Sequence, residues 1–213
     1  MLTIVTRTKS LDSPYLDKCK DSVEKALINN VEHKIIIIDN LDDFNVKTFN
    51  CKDLNDYIAF VDYDDYIHPS SISLCLDAIK KYSLDVVFTN ENIVHLINNN
   101  PCPTLKGQRK YNDIIKEPMS VHHLVVMKSN LIDEKALLLA NKYNIGIEWF
   151  MIASTVLKGK VMHIPKSLYT WTRSPSQKSV IQQQMFRSNI SKMQTDIKNT
   201  WGEREGPIEQ IRI

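Results

Sequence analysis

Residues 58–69 read IAFVDYDDYIHP. The apolar run Ile58 to Val61 delivers three carboxylates, Asp62, Asp64 and Asp65, to one point, and Pro69 opens the next helix. Clustered acids repel, each disfavouring the ionised form of the others, and a bound divalent cation removes that cost. In an extended chain residues i and i+2 share a face, so Asp62 and Asp64 address one ligand while Tyr63 points away. Hard carboxylate oxygens suit Mg²⁺ or Mn²⁺, and Mg²⁺ commonly takes one or two carboxylates plus substrate phosphates. An acidic turn capping the following helix would leave the same letters. The apolar strand before it, and the pattern of the remaining chain, favour a metal–phosphate site.

Outward from this stretch the first half alternates strand and helix. Leu2 to Thr6 reads as a strand, and Ser13-Pro14 starts a helix with Leu16, Cys19, Val23 and Leu27 on one face. Lys34 to Asp39 (KIIIID) is an apolar strand ending in an acid. Tyr57 to Asp62 is the next, Pro69 to Tyr82 a helix, and Asp85 to Thr89 another strand. This rhythm predicts an α/β fold, with an open, mostly parallel sheet flanked by helices in a single domain. Ligands of such sheets bind at the carboxyl ends of the strands, where Thr6, Asp39 and Asp62 fall. Asn98 to Tyr111, polar with two prolines and a glycine, reads as a loop. Met119 to Met127 reads as a strand, Asn130 to Lys142 as a helix, and Gly146 to Leu157 as a helix carrying Glu148 in its first turn. Val161 to Ile164 and Ser167 to Thr172 read as two short strands. From Ser179 a helical stripe of Phe186, Ile190, Met193, Ile197 and Trp201 suits docking on the core. The expected organisation is a domain over residues 1–178, with halves 1–96 and 112–178, and a packed tail over 179–213.

Composition bounds the function classes. Across 213 residues the apolar content is 43% and the mean hydropathy is −0.27. No apolar stretch has the length of a membrane span, and the N-terminus lacks a signal-peptide layout. Four cysteines show no metal-type pairing, and Cys19 and Cys75 sit in apolar stripes as expected of buried free thiols. A cytoplasmic location is the expectation, host cytoplasm for a phage-encoded chain. Residues 1–100 carry 10 Lys and Arg against 16 Asp and Glu, a net −6, while residues 101–213 carry 17 against 9, a net +8. A basic half of this kind suits a polyanionic partner, although solvated surfaces produce similar splits.

With LTIVTRTK at the first strand, IIIIDN at the second, FVDYDDYIHP at the acids, IEW inside GIEWFMIAS, and SLYTWTRSPSQKS, the chain resembles the GT-A glycosyltransferases of family 2. The likeness runs over about residues 1 to 180, with the pieces in the family's order. It implies a GT-A (Rossmann-like) fold, a nucleotide-diphosphate sugar donor, usually a UDP-sugar, a Mn²⁺ or Mg²⁺ cofactor, and one inverting displacement at the anomeric carbon. Thr6 and Arg7 match the family's nucleotide-contacting loop, and Asp39 the acid that contacts the base. The loop after Asp39 departs from the family, with Asn40-Leu41 where another Asp is usual. Asp62 would hold the ribose or a metal-bound water, Asp64 would ligate the metal, and Asp65 would do either or cap the helix. Glu148 aligns with the family's catalytic base, its usual acidic predecessor replaced by Ile147. A carboxylate walled by Trp149 would have its pKa raised by desolvation, as proton abstraction requires. Arg173, in Tyr169-Thr-Trp-Thr-Arg173, would neutralise the diphosphate leaving group. The family often follows this Arg with a metal-binding His, whereas this chain has Ser174-Pro175-Ser176. His163 reads as a structural or solvent-exposed residue. His122-His123 have no metal-spacing partner and read as one buried and one exposed, or as polar groups on the acceptor side.

Two acceptors stay open. Lys106, Arg109, Lys110 and Lys116 flank Tyr111, and Lys178, Arg187 and Lys192 flank Phe186, a mixture suited to a nucleic-acid backbone. Small soluble glycosyltransferases sugar-modify hydroxymethylcytosine in phage DNA, and this acceptor is the favoured expectation. The alternative is a cell-surface glycan. A non-catalytic nucleotide- or DNA-binding module on the same sheet is the reading from another class, and Asp64, Glu148 and Arg173 together argue against it.

Overall fold

The computed structural model describes residues 1–8, 11–29, 31–37, 56–95, 101–104, 107–143, 147–173 and 179–211. In chain order these form β1 (Leu2–Thr8), α1 (Pro14–Ala26), β2 (Val31–Ile37), β3 (Tyr57–Asp62), β4 (Tyr66–Ile67), α2 (Ser71–Tyr82), β5 (Val86–His95) and β6 (Pro101–Thr104). There follow α3 (Asp113–Lys116), β7 (Val125–Lys128), α4 (Glu134–Tyr143), α5 (Ile147–Lys158), β8 (Val161–Arg173), α6 (Ser179–Trp201) and β9 (Glu209–Gln210). One sheet of nine strands runs β2-β1-β3-β7-β5-β8-β4, with β6 on β5 and β9 on β8. Tracing the pairings, β1, β2, β3, β5, β8 and β9 point one way, and β4, β6 and β7 the other. The sheet is therefore mixed and mostly parallel, as the strand–helix rhythm predicts.

Both faces of the sheet are covered, which is why its strands are apolar on both sides. Successive side chains alternate between faces. Leu2, Ile4, Ala59, Val61, Val87 and Val126 pack against α1 and α2, through Cys19, Val23, Ile72 and Cys75. Val5, Ile58, Val86, Phe88, Val125 and Met127 pack against α3 to α6. In α5 every residue from Trp149 to Leu157 is buried, because α3, α4 and α6 cover the side turned from the sheet. In α6, Met193 and Ile197 are fully buried and Ile190 and Trp201 pack against the same cluster, while the side chain of Phe186 lies outside the described residues. No helix among the described residues is long and apolar enough to cross a membrane.

Three expectations change. The segment read as a strand from Met119 is a 3-10 turn over Pro118–Val121, and β7 begins only at Val125. Within the segment read as a loop, β6 pairs antiparallel with β5, and its prolines at 101 and 103 are tolerated because, among the described residues, no further strand needs their missing N–H. The two short strands after α5 are one strand, β8, whose register against β5 slips between Thr89 and Glu91. Pro165 falls at that slip, where a residue without an N–H does least harm to the ladder.

Candidate active site

The carboxyl ends of β1 and β3 lie side by side, with Arg7 in register with Asp62. Beneath them Thr6 is fully buried. Its hydroxyl is 3.0 Å from His33 Nε2 and 3.7 Å from Cys19 Sγ. Thr6 thus braces the strand end against α1 and β2. Burial lowers the pKa of His33 and pushes the Cys19 thiol up to about 12. The side chains of Arg7 and Arg173, and the whole of Asp39, lie outside the described residues.

The three acids separate into two kinds. Asp62 and Asp64 are partly exposed, whereas Asp65 is 2% exposed. Asp65 accepts the Tyr169 hydroxyl at 2.6 Å and the Thr172 N–H at 2.7 Å, so it fastens the acidic turn to β8 and does not cap α2. The Tyr169 oxygen in turn accepts the Asp62 N–H at 3.2 Å. Burial, then the charge of Asp62, holds the Asp65 carboxyl well above the usual carboxylate range. Tyr63 is likewise raised, by burial and then by Asp64 and Asp62. Asp62 and Asp64 crowd two carboxylates at this strand end, and a divalent cation relieves such crowding. Asp62 and Asp64 offer hard oxygen donors of the right type for Mg²⁺ or Mn²⁺ alongside a diphosphate. Among the described residues no group of three or more His, Cys, Asp or Glu converges as a self-sufficient metal centre.

Asp62 also lines a pocket with Phe60, Tyr169, His122, His123 and Glu148, floored by Val125, Met127 and Ile152. Glu148 enters it from the first turn of α5, and its Oε2 lies 3.6 Å from His122 Nε2. The expected Trp149 wall is absent from this lining. Trp149 is buried in the core, its indole N–H donating to the Ile114 carbonyl at 2.5 Å. Adjacent residues on a helix point about 100° apart, so Glu148 and Trp149 take different faces. His163 is structural, 1% exposed, bonded to Asn90 Oδ1 at 2.9 Å and stacked on Phe88 at 4.5 Å. His122 is half-buried and His123 buried, and both lie in the pocket. His122, His123 and Tyr169 therefore line the same pocket as Asp62 and Glu148, though the sequence offered only the doublet and the Tyr-x-x-x-Arg pattern as signals.

A mostly parallel sheet, covered on both faces and interrupted by the antiparallel β7, is a GT-A-like (Rossmann-like) fold. The S. aureus TarS fragment 1–349 in complex with UDP has it, with a TM-score of 0.64 at 13% identity over 96% of this chain and 67% of that one. The same fragment in complex with UDP-GlcNAc gives 0.65 at 12% identity, over 96% and 68%. A longer TarS structure gives 0.56 at 13% identity, over 93% and 43%. At these identities the likeness is one of fold. No protein-family model matches the sequence, and no curated protein matches it.

Proposed function

We propose that this chain is an inverting glycosyltransferase that moves a sugar from a UDP-sugar to an acceptor hydroxyl, with Glu148 as the general base. The observation that supports the proposal is the pocket lined by both Asp62 and Glu148, which brings two carboxylates together at the carboxyl edge of the sheet. Glu148 accepts the proton of the acceptor hydroxyl as its oxygen forms a bond to the anomeric carbon. The bond from that carbon to the diphosphate breaks on the opposite face, inverting the configuration. UDP leaves with the bonding pair. Asp64 and Asp62 would hold Mn²⁺ or Mg²⁺, which supplies neutralisation of the diphosphate charge. Arg173, at the end of β8, would share that task, and Arg7 and Asp39 would meet the nucleotide. Thr6 serves by fixing the end of β1. The UDP and UDP-GlcNAc complexes of TarS support the donor class.

For the acceptor we put hydroxymethylcytosine in DNA first, on the +8 charge of residues 101–213. A neutral glycan hydroxyl is the second reading. It is favoured by a described lining around Glu148 that contains no Lys or Arg. Several cations of the basic half are also occupied locally, as in Lys142–Asp196 at 2.6 Å and Lys158–Asp133 at 3.0 Å.

Calorimetric titration of UDP with and without Mn²⁺ is the first test. Metal-dependent binding is expected, weakened at least about tenfold in Asp64→Ala, whose loss removes a direct ligand. Glu148→Gln should keep that binding and lose about 10²- to 10⁴-fold in kcat, measured with UDP-sugars on hydroxymethylated DNA and on oligosaccharides. Transfer at the wild-type rate by Glu148→Gln removes the base assignment. Absence of UDP binding under every condition removes the nucleotide-sugar reading and leaves a polyanion-binding domain.

A further inference from the structure

The chain between the 3-10 turn and β7 contains two successive residues in the left-handed region, His123 at φ 54° and Leu124 at φ 36°. Glycine enters that region without steric cost, and side chains with a Cβ seldom do. Such strain persists where the surroundings over-determine it, and it gathers at functional sites. Here its product is an arrangement of rings. The kink sets His122 edge-on to His123, with centroids 4.1 Å apart at 85°. His123 is 7% exposed and stacked on Tyr169 at 4.8 Å. It leans on Trp171 at 5.3 Å, with Nδ1 3.7 Å from Glu91 Oε2. His122 faces the other way, towards Glu148.

The row Glu91, His123, His122, Glu148 thus runs from the buried bulge of β5 to the pocket. Its inner half is fixed by packing. Its outer half is reachable, with 19% of the His122 side chain and 16% of the Glu148 side chain exposed. A glutamate in the first turn of a helix has three rotatable side-chain bonds, and a neighbouring donor narrows the directions its carboxylate takes. The 3.6 Å separation exceeds a formed hydrogen bond, and catalytic contacts of this kind commonly tighten only with substrate bound.

We propose that His122 is a positioning residue for Glu148. Its Nε2–H holds the carboxylate towards the pocket, and His123, stacked on Tyr169, holds the ring of His122. The inference rests on the reading of Glu148 as the base. It adds a second residue through which that base is aimed, and it explains why a strained backbone carries histidine and leucine where glycine would fit more easily.

The test compares His122→Leu and His122→Gln with the wild-type protein. Leucine keeps apolar bulk and removes the donor, while glutamine returns an N–H at similar reach. His122→Leu should lower kcat about 10- to 100-fold, the loss usual for an orienting partner, with donor KM and UDP affinity unchanged. His122→Gln should recover most of that loss. In a Glu148→Gln background His122→Leu should cost nothing further, because residues acting as a unit are non-additive. Wild-type kcat in His122→Leu, or equal losses in both variants, overturns the proposal in favour of a packing role. The imidazole ¹⁵N resonances of His122 supply a readout independent of turnover, and they should move on Glu148→Gln. If the wild-type protein transfers no sugar, the transfer reading fails by itself. The contact then stands or falls on those resonances, and unchanged resonances overturn it.

Discussion

Burial sets the chemistry of single side chains in this fold, and its thiols show it most directly. Cys19 lies under the Asp62 carbonyl, donating to it at 3.4 Å, and Cys75 is fully enclosed between α2 and the sheet. Burial pushes both thiols up to about 12. The thiolate is the reactive species, so neither reacts at neutral pH, whereas Cys102 is exposed on β6. Iodoacetamide on the native protein should therefore modify Cys102 and spare Cys19 and Cys75, and denaturation in guanidinium should open both. Peptide mass spectrometry reads the outcome, and rapid native labelling of Cys19 would refute its enclosure. The two buried thiols were legible because each sits in an apolar helical stripe. The role of Asp65 was not, because its partners Tyr169 and Thr172 lie more than a hundred residues away. The letters DYDD do not say which acid turns inward.

Elements meet tightly where α5 turns into β8. A Cβ at Gly159 would stand 2.9 Å from the Asp85 Cβ, 2.9 Å from the Thr155 carbonyl oxygen and 3.1 Å from a Leu131 methyl. Two of these belong to backbone or to the root of a side chain and cannot swing aside. The Gly159 carbonyl also accepts a guanidinium N–H of Arg204, tying the tail to the turn. Gly159→Ala should cost about 1–3 kcal/mol, the usual range for overpacking, measured as a lowered urea midpoint. An unchanged midpoint would mean that the turn relaxes freely. Gly159 was unremarkable in sequence, since nothing local shows that Asp85 comes to it. Legibility at this scale followed apolar periodicity. Tyr57 to Asp62 emerged with its observed bounds, and α1, α2 and α5 within two residues of theirs. It failed where pairing made the element. A Pro-containing edge strand such as β6, and a bulged strand such as β8, exist because β5 runs beside them. At the pocket the same division holds. Asp62, Asp64 and Glu148 announce themselves by motif, whereas His122 acquires meaning only from the turn that leads into β7, and Glu91 only from the bulge of β5.

The whole molecule is bound across long sequence separations by carboxylates, and that makes its stability depend on acidity in a defined direction. Asp85 feels burial upward, but the Lys160 N–H and the Lys128 ammonium outweigh it and hold the group below the usual carboxylate range. Asp133 is balanced in the same way, with burial overridden by the Lys135 N–H, Lys158 and Trp201. Asp196 is lowered first by Lys142 and further by the Tyr143 hydroxyl. A carboxylate depressed in the folded state contributes stability above its unfolded value of about 3.9, and that contribution is lost as pH falls through the lower, folded value. His33 acts earlier on the scale. Burial depresses it, so below about pH 6.5 the unfolded chain takes up a proton that the folded chain refuses, and stability declines. The Asp65 carboxyl, held high by burial, acts in the opposite sense, so the test is made in an Asp65→Asn background. There the urea midpoint should fall in two limbs on acidification, a first below about pH 6.5 and a second below about pH 4. His33→Gln should diminish the first limb. Because Asp85, Asp133 and Asp196 keep contact with solvent, 0.5 M salt should flatten the second limb more than the first, as screening acts on exposed pairs and spares a desolvation cost. A midpoint level from pH 7 to pH 3 would mean that neither the buried imidazole nor the bridging carboxylates hold this sheet and its helices together.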